Sequence, residues 1–389
     1  MATKLSSLRW IEDLVAIDTI SCHSNLPLIE LVAGRLEDAG IATTVRLNKS
    51  ADKANLIATI PASSGSTAGG LVLSGHTDVV PVDGQDWGSD PFTISVRDER
   101  IYGRGTADMK GFIGVALAMV PRMLQVQLSE PIHFALSYDE EVGLLGGAQM
   151  IDDFRDLGLT PRLCVVGEPT GMQVIGAHKS FGLVTITVRG RDGHSSLAPN
   201  LVSAAFYGAQ MVAFIQELAE EFEFNGPVDH AYDIPFSTIS VNEITSGSSG
   251  NTVPSHCHIR VDLRTIPQVD PQEVLGRIRQ QANLLQASMQ AQDPGTGIEI
   301  TTIGLAPGLE SSNDSPLVAT LAAAGVTAEG NKMAYGTEAG FFHAFGIDTV
   351  VCGPGNIAQA HIADEYVEID QIRECERVLS ALVNTLCEV

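Results

Sequence analysis

Short runs of apolar residues alternate with helical stretches through much of the chain. Four such runs end in polar or glycine-rich loops: Leu71–Leu73, Ile132–Ser137, Leu163–Val166 and Thr349–Cys352. The spacing of apolar residues predicts helices in four intervening segments, namely Leu8–Ile17, Pro27–Ala39, Phe112–Leu124 and Gly146–Asp156. Strands that are apolar throughout are typical of a sheet covered on both faces. The pattern therefore predicts an α/β domain with a mainly parallel central sheet.

The pattern changes at Phe181, where apolar and polar residues begin to alternate as in a strand with one buried face. The following segments predict strands at Ser237–Val241, Cys257–Leu263 and Ile298–Ile303, and helices at Leu201–Phe222 and Pro271–Ser288. This order favours an α+β domain of ferredoxin-like type, inserted into the first domain. The expected domains are residues 1–180, the insert at 181–305, and the remainder of the first domain at 306–389.

Composition narrows the possible partners. The 389 residues carry a formal net charge of −24, which disfavours binding to nucleic acid or to an anionic membrane surface. The six cysteines form no C-x-x-C pair and are expected to be reduced. The N-terminal segment lacks an apolar signal core. The longest apolar helical stretch, Gly111–Val120, is too short to cross a bilayer. A soluble, cytoplasmic protein is expected.

Residues with metal-binding chemistry follow several predicted strands, which is where sites form in parallel sheets. His76 and Asp78 point to the same side of an extended segment, so the carboxylate can orient the imidazole toward a metal ion. A His–Asp pair can equally be structural. Asp108 follows a glycine-rich turn and precedes a helix, where a carboxylate can also serve as a helix cap. Taken singly, these residues leave both interpretations open.

Adjacent carboxylates at Glu140 and Glu141 indicate a cation more strongly, since two such charges repel each other. One can bind metal while the other acts as a base, although the residues alone do not order the pair. Glu168 ends another strand, and His361 lies in a loop after the last strand. Together these side chains match zinc chemistry. Two metal ions need a bridging carboxylate, for which Asp108 is the candidate. No G-x-S-x-G or Cys–His arrangement competes.

Five segments, in order along the chain, resemble a known family. They are S-G-H-T-D-V-V-P from Ser74, Y-G-R-G-T-A-D-M-K-G from Tyr102, D-E-E from Asp139, G-E-P-T from Gly167 and G-H-S-S from Gly193. The chain is identified from them as a member of the co-catalytic zinc deacylases and exopeptidases. That family includes succinyl-diaminopimelate desuccinylase, aminoacylase and glutamate carboxypeptidases. Three more segments resemble its acetylornithine-deacetylating branch: A-H-K from Ala177, G-T-E-A from Gly336, and G-P-G-N-I-A-Q-A-H from Gly353 followed by D-E-Y from Asp364.

The resemblance implies two zinc ions per chain, for which cobalt can substitute. The implied ligands are two histidines and three carboxylates, with His76 and Glu168 on one ion, Glu141 and His361 on the other, and Asp108 between them. Glu140 is implied to be the general base, and Asp78 to orient His76. A cis peptide bond is implied before Met109.

The insert is implied to be a lid that also forms a homodimer. His194 would reach the neighbouring subunit's site as an oxyanion donor, and Arg264 and Asn251 would hold the substrate's carboxylate. Each also has a structural interpretation. His194 can be an ordinary loop histidine, Arg264 part of a surface ion pair on a strand, and Asn251 a turn residue.

The implied reaction is deacetylation of N2-acetyl-L-ornithine to L-ornithine and acetate, a step of arginine biosynthesis. Glu338 could hold the substrate's side-chain amine, or could be only a carboxylate at a helix N-terminus. Other branches remain open, namely desuccinylase, aminoacylase and acetylcitrulline deacetylase. Lys179 could supply the basic group that a succinyl substrate needs. A non-catalytic dimeric scaffold is disfavoured because the ligands and the base are all present.

Overall fold

The structure is a computed structural model that describes residues 5–312, 314–327 and 332–387. Contacts between residues divide the chain into two compact units. The first unit comprises Met1–Ala177, Leu309–Lys332 and Thr337–Val389, and the second comprises His178–Gly308 and Met333–Gly336. The second unit therefore lies within the sequence of the first. The sequence pattern predicts that the inserted domain begins at residue 181 and ends at residue 305.

Helices account for much of the described chain. They are α1 (Leu8–Val15), α2 (Leu26–Asp38), α3 (Lys110–Ala118), α4 (Val120–Met123), α5 (Leu145–Leu157), α6 (Ala204–Phe224), α7 (Pro271–Gln292), α8 (Pro316–Ala323), α9 (Ala339–Ala344) and α10 (Ile369–Thr385). The helix predicted over 112–124 is two helices, since α3 ends before α4 begins with Pro121 in its first turn. Proline is well suited to that position, where no backbone N–H is needed.

Within the described residues, the strands form two larger sheets and three smaller ones. They are β1 (Thr43–Leu47), β2 (Ala54–Ile60), β3 (Leu71–His76), β4 (Ser95–Arg97), β5 (Arg100–Tyr102), β6 (Ile132–Ser137), β7 (Leu163–Val166), β8 (Ala177–His178), β9 (Phe181–Arg189), β10 (Gly193–His194), β11 (Thr238–Ser246), β12 (Thr252–Val253), β13 (His256–Arg264), β14 (Gly297–Ala306), β15 (Leu309–Glu310), β16 (Asp348–Val351) and β17 (Tyr366–Glu368).

The central sheet of the first unit has the strand order β1-β2-β6-β3-β7-β16. Strand β3 pairs in parallel with both β6 and β7, and β16 continues the parallel set beyond β7. Strands β1 and β2 complete one side in antiparallel pairing. The predicted α/β fold with a mainly parallel sheet is therefore confirmed. Because β6, β3, β7 and β16 run the same way, their carboxyl ends meet at one edge, where a site is expected.

Helix α3 packs closely on this sheet because glycines face it. A Cβ on Gly75 in β3 would lie 2.8 Å from the Met109 side chain, and one on Gly167, just after β7, would lie 2.0 Å from the Phe112 ring. Such close approach of helix and strand needs residues without side chains. The glycines thus bring the start of α3, and Asp108 before it, next to the ends of β3 and β7.

The larger elements of the second unit follow in the order β9-α6-β11-β13-α7-β14, and its four-stranded antiparallel sheet has the order β11-β13-β9-β14. This is the ferredoxin-like arrangement that the pattern predicts. Its own core lies between the sheet and helices α6 and α7, and includes Ile186, Met211, Ile259 and Ile278. Among the described residues, no helix is long and apolar enough to cross a membrane.

Candidate metal centre

Three neighbouring strands of the central sheet carry the candidate ligands at their carboxyl ends. His76 is the last residue of β3, Glu140 and Glu141 follow β6, and Glu168 follows β7. The pairing of β3 with both neighbours places these side chains at one sheet edge, although they lie far apart in sequence.

Asp108 lies between the two candidate histidines. Its Oδ1 is 2.9 Å from His76 Nε2, and its Oδ2 is 3.3 Å from His361 Nε2. Asp108 is not a helix cap, because Met109 occupies that position and no side chain caps the helix. The Asp108–Met109 peptide bond is cis. One carboxylate thus presents a different oxygen to each histidine, which is the arrangement of a bridging ligand.

The remaining candidate ligands complete two groups around Asp108. Glu168 Oε1 lies 3.8 Å from His76 Nε2, and Glu141 Oε1 lies 3.1 Å from His361 Nε2. The ligand atoms of His76, Asp108 and Glu168 all lie within 4.8 Å of one another, and so do those of Asp108, Glu141 and His361. The five residues proposed from sequence are therefore neighbours, in two triads that share Asp108.

Asp78 has more contacts than sequence reasoning expected. The backbone carbonyl of Asp78 lies 2.9 Å from His76 Nδ1, closer than the carboxylate at 3.6 Å. The carboxylate instead accepts hydrogen bonds from the Ser21 hydroxyl at 2.6 Å and from the backbone N–H groups of Glu140 and Glu141 at 3.0 and 3.3 Å. Asp78 therefore fixes the segment that carries the two adjacent carboxylates as well as facing the histidine.

Lys53 is a supporting residue that the sequence reasoning missed. Its ammonium is buried and donates hydrogen bonds to the Asp139 carboxylate and to the Ser21 carbonyl. Asp139 has a positive φ of 54° and directly precedes Glu140. A lysine before an apolar strand gives no sequence signal of this role, because its partner lies 86 residues away.

The electrostatics of the centre favour a cation. Burial, together with the charge of Asp108, raises the pKa of Glu141 to about 7 and that of Glu168 well above its usual value. Burial alone would also raise the pKa of Asp108, but hydrogen bonds from His361 and His76 lower it below its usual value. The hydrogen bonds of His361 with Asp108 and Glu141 raise the pKa of His361 to about 10. Buried carboxylates that repel one another are neutralised by a divalent ion.

The donor set also fits such ions. Imidazole nitrogen and carboxylate oxygen are ligands that zinc accepts. Glu168 Oε1 is buried and has no hydrogen-bond partner among the described residues. A buried polar atom without a partner is costly, and a metal ion in the first triad would satisfy it. The residues present are therefore compatible with two divalent ions.

The second unit contains three other residues that were predicted to act in the site, His194, Asn251 and Arg264. Their contacts within that unit are as follows. His194 is exposed, and its Nδ1 accepts the Ser196 N–H. Asn251 accepts a hydrogen bond from the Ser249 hydroxyl at 2.7 Å. Arg264 is half-buried at the end of β13 and forms a two-point ion pair with Asp262 at 3.0 and 3.1 Å.

Glu338 belongs to the first unit and is 1% exposed. It precedes helix α9 but makes no side-chain cap hydrogen bond. Burial raises its pKa to about 7. Its Oε1 has no hydrogen-bond partner among the described residues.

Known proteins resemble this chain over most of its length. Residues 72–385 match the model of peptidase family M20/M25/M40. Acetylornithine deacetylase of Myxococcus xanthus is 33% identical over 100% of this chain and 99% of that protein. Acetylornithine deacetylase of Proteus mirabilis is 30% identical over 96% of this chain and 93% of that protein.

Solved structures are similar to the whole chain at low identity. An M20 family metallo-carboxypeptidase from Sulfolobus solfataricus has a TM-score of 0.73 at 17% identity, over 97% of this chain and 98% of that one. A dinuclear metal-binding M20 peptidase from Bacillus subtilis has a TM-score of 0.61 at 13% identity, over 98% and 97%. These likenesses show the fold, and the family match covers most of the chain. The family recognised from the motifs is thus confirmed, and the chain belongs to peptidase family M20/M25/M40.

Proposed function

We propose that the protein is a two-metal amidohydrolase that deacetylates N2-acetyl-L-ornithine, releasing L-ornithine and acetate. The observation that carries the metal chemistry is the position of Asp108, whose two oxygens face His76 and His361 at 2.9 and 3.3 Å. The names of the full-length relatives from Myxococcus xanthus and Proteus mirabilis support the substrate and its place in arginine biosynthesis. A cytoplasmic location stays a prediction.

The proposed ligands are the two triads that share Asp108: His76, Asp108 and Glu168, and Asp108, Glu141 and His361. Zinc is the expected metal, with cobalt as a substitute. When bound, the two ions would supply the Lewis acidity that polarises an amide carbonyl and activates water. We expect two divalent ions per chain by elemental analysis, loss of activity with a chelator, and recovery with zinc or cobalt. Active protein that contains no metal and resists chelation would contradict the proposal.

Glu140 is the proposed general base. Its backbone N–H is held by Asp78, which fixes the segment next to both triads. The carboxylate would take a proton from the attacking water and deliver it to the leaving amine. This assigns proton transfer to the one carboxylate of the adjacent pair that is in neither triad.

His194 is the proposed oxyanion donor, acting on the site of a neighbouring subunit. Because Nδ1 accepts the Ser196 N–H at 3.3 Å, the proton of the neutral ring is assigned to Nε2. Nε2 can then donate a hydrogen bond to a developing negative oxygen. Loss of one such donor typically costs about 10²–10³ in kcat.

Recognition of the substrate is assigned to three residues. Arg264 would bind the α-carboxylate with donors that its Asp262 pair leaves free, and Asn251 would assist. Glu338 would bind the side-chain ammonium, which could supply the hydrogen-bond donor that its Oε1 lacks among the described residues. Because Glu338 is 1% exposed, the ammonium reaches it only if the residues that cover it move.

The substrate proposal is tested by kcat/KM on acetylornithine, acetylcitrulline, acetylmethionine and succinyl-diaminopimelate. We expect acetylornithine to be preferred, and E338Q to reduce that preference over acetylcitrulline, which lacks the amine. Preference for the succinyl compound, or indifference to the amine, would place the protein in another branch and leave the metal chemistry intact.

A homodimer is proposed through the second unit. Strand β11 is an edge of its sheet, and Ile244 on this strand is 56% exposed. Phe206, on the helix α6 that packs against β11, is 75% exposed. A strand edge that no other described strand pairs with, in a unit with exposed apolar side chains, favours pairing with a second copy.

A further inference from the structure

Glu365 and Arg104 form a buried ion pair to which the proposed mechanism gives no role. Glu365 Oε2 accepts a hydrogen bond from Arg104 Nη1 at 2.6 Å, and both side chains are 1% exposed. Removing two charges from water is costly unless their remaining donors and acceptors are satisfied. The partners of the second carboxylate oxygen therefore indicate what the pair does.

That second oxygen, Oε1, accepts three backbone N–H groups from a single loop. They belong to Gly105 at 2.9 Å, Ala107 at 3.0 Å and Asp108 at 3.1 Å. The backbone carbonyl of Glu365 also accepts the N–H of Gly103, at the start of this loop. Hydrogen bonds to an ionised acceptor are stronger than neutral ones. The carboxylate of Glu365 thus fixes the backbone on which Asp108 stands.

Gln85 extends the same network to the other loop of the centre. Its Nε2 donates to the backbone carbonyl of His361 at 3.0 Å, and its Oε1 accepts from Arg104 Nη2 at 2.7 Å. Arg104 consequently links the carboxylate that holds the Asp108 loop to the amide that holds His361. Glu365 itself lies four residues after His361 in the chain.

We propose that Glu365 is a positioning residue of the metal centre, which through Arg104 and Gln85 fixes the Asp108 loop relative to His361. The inference rests on the proposed two-metal function. Asp108 belongs to both triads, so a shift of its loop changes both sites at once. Partners beyond the ligands typically contribute about 10–100-fold to metal affinity.

The test is calorimetric titration of zinc into metal-free protein, with thermal unfolding measured alongside. We expect E365Q to weaken both zinc ions by about 10–100-fold. If the Gln oxygen faces the loop N–H groups, its NH2 group faces the Arg104 donors. Two hydrogen-bond donors would then face each other. R104Q in the E365Q background removes this clash and should restore part of the zinc affinity, which would not be expected if E365Q acted only through a general loss of stability.

Glu376 provides the matched control. Its Oε1 also accepts three hydrogen bonds, from the Ser6 hydroxyl and from the N–H and hydroxyl of Ser7, but these lie at the start of α1. E376Q should lower the unfolding temperature and leave zinc affinity unchanged. Q85A is a milder variant in a half-buried loop, and should weaken the ion of the His361 triad more than the other.

Wild-type zinc affinity in both E365Q and Q85A would overturn the positioning role while leaving the two-metal proposal standing. If E365Q does not fold, Q85A decides alone. Wild-type protein that binds no zinc would overturn both proposals, so the two failures are distinguishable.

Discussion

The adjacent residues Glu140 and Glu141 have different surroundings in the candidate metal centre. Glu141 Oε1 lies 3.1 Å from His361 Nε2, inside a triad, whereas Glu140 is outside both. The two residues lie in the turn after β6 and not in an extended strand, so strand alternation does not separate them. Asp78 accepts the N–H groups of both and thereby fixes their orientation.

This difference predicts separable phenotypes. E140Q should retain the wild-type metal content but reduce turnover by a factor of about 10² or more, because proton transfer is lost. E141Q should instead lose one metal ion, because it removes a ligand. Elemental analysis and steady-state kinetics on the two variants check this. The assignment of base and ligand is reversed if the two phenotypes are exchanged.

Close contact between elements depends on glycine at several positions of the first unit. Helices α1 and α3 pack together at Gly114, where an added Cβ would lie 2.6 Å from Ile11 Cγ1 and 3.1 Å from the Ile11 backbone nitrogen. Gly34 is also inside a helix, α2, but an added Cβ there meets nothing within 4 Å. Alanine substitutions at the two positions therefore distinguish the effect of packing from the effect of helix propensity.

We expect G114A to destabilise the protein by about 1–3 kcal/mol, since overpacking outweighs the helical preference of alanine. G34A should be neutral or stabilising by up to about 1 kcal/mol, because only the propensity changes. Thermal unfolding of both variants against wild type measures the difference. Equal effects of the two substitutions would contradict the close packing of α1 on α3.

At the scale of the whole molecule, the second unit offers two different outer edges. Strand β11 is one edge of its sheet and β14 is the other, with α6 in contact with β11 and α7 with β14. Each chain carries a formal charge of −24, so two copies repel each other at long range. Association therefore depends on short-range burial and is expected to strengthen as salt screens the charge.

We expect the wild-type protein to sediment as a dimer and I244K to sediment as a monomer, because a lysine on β11 opposes edge pairing. L284K is the control, since Leu284 on α7 is 63% exposed and lies on the helix beside the other edge. It should remain dimeric. A fully active wild-type monomer would contradict both the dimer and the action of His194 on a neighbouring subunit.

The sequence by itself determined the architecture of the first unit and the residues to consider for the metal centre. Strands β6 and β7 have the bounds that their apolar runs predict, Ile132–Ser137 and Leu163–Val166. Burial on both faces leaves an uninterrupted apolar run, which is a local property that can be read from the residues. The polar residues after such runs were the ligand candidates because parallel strands end at one edge.

Only the tertiary structure decided how those candidates are held. From its local sequence Asp108 could be a cap or a bridge, and the structure shows that it caps no helix and lies between two histidines. The hydrogen bond from its N–H to Glu365 joins residues 257 positions apart. Periodicity reports the exposure of neighbouring residues along a helix or strand, but it carries no information on which distant loops meet. Those contacts depend on strand order and on glycines that let α3 approach the sheet, so they were settled only when the chain was folded.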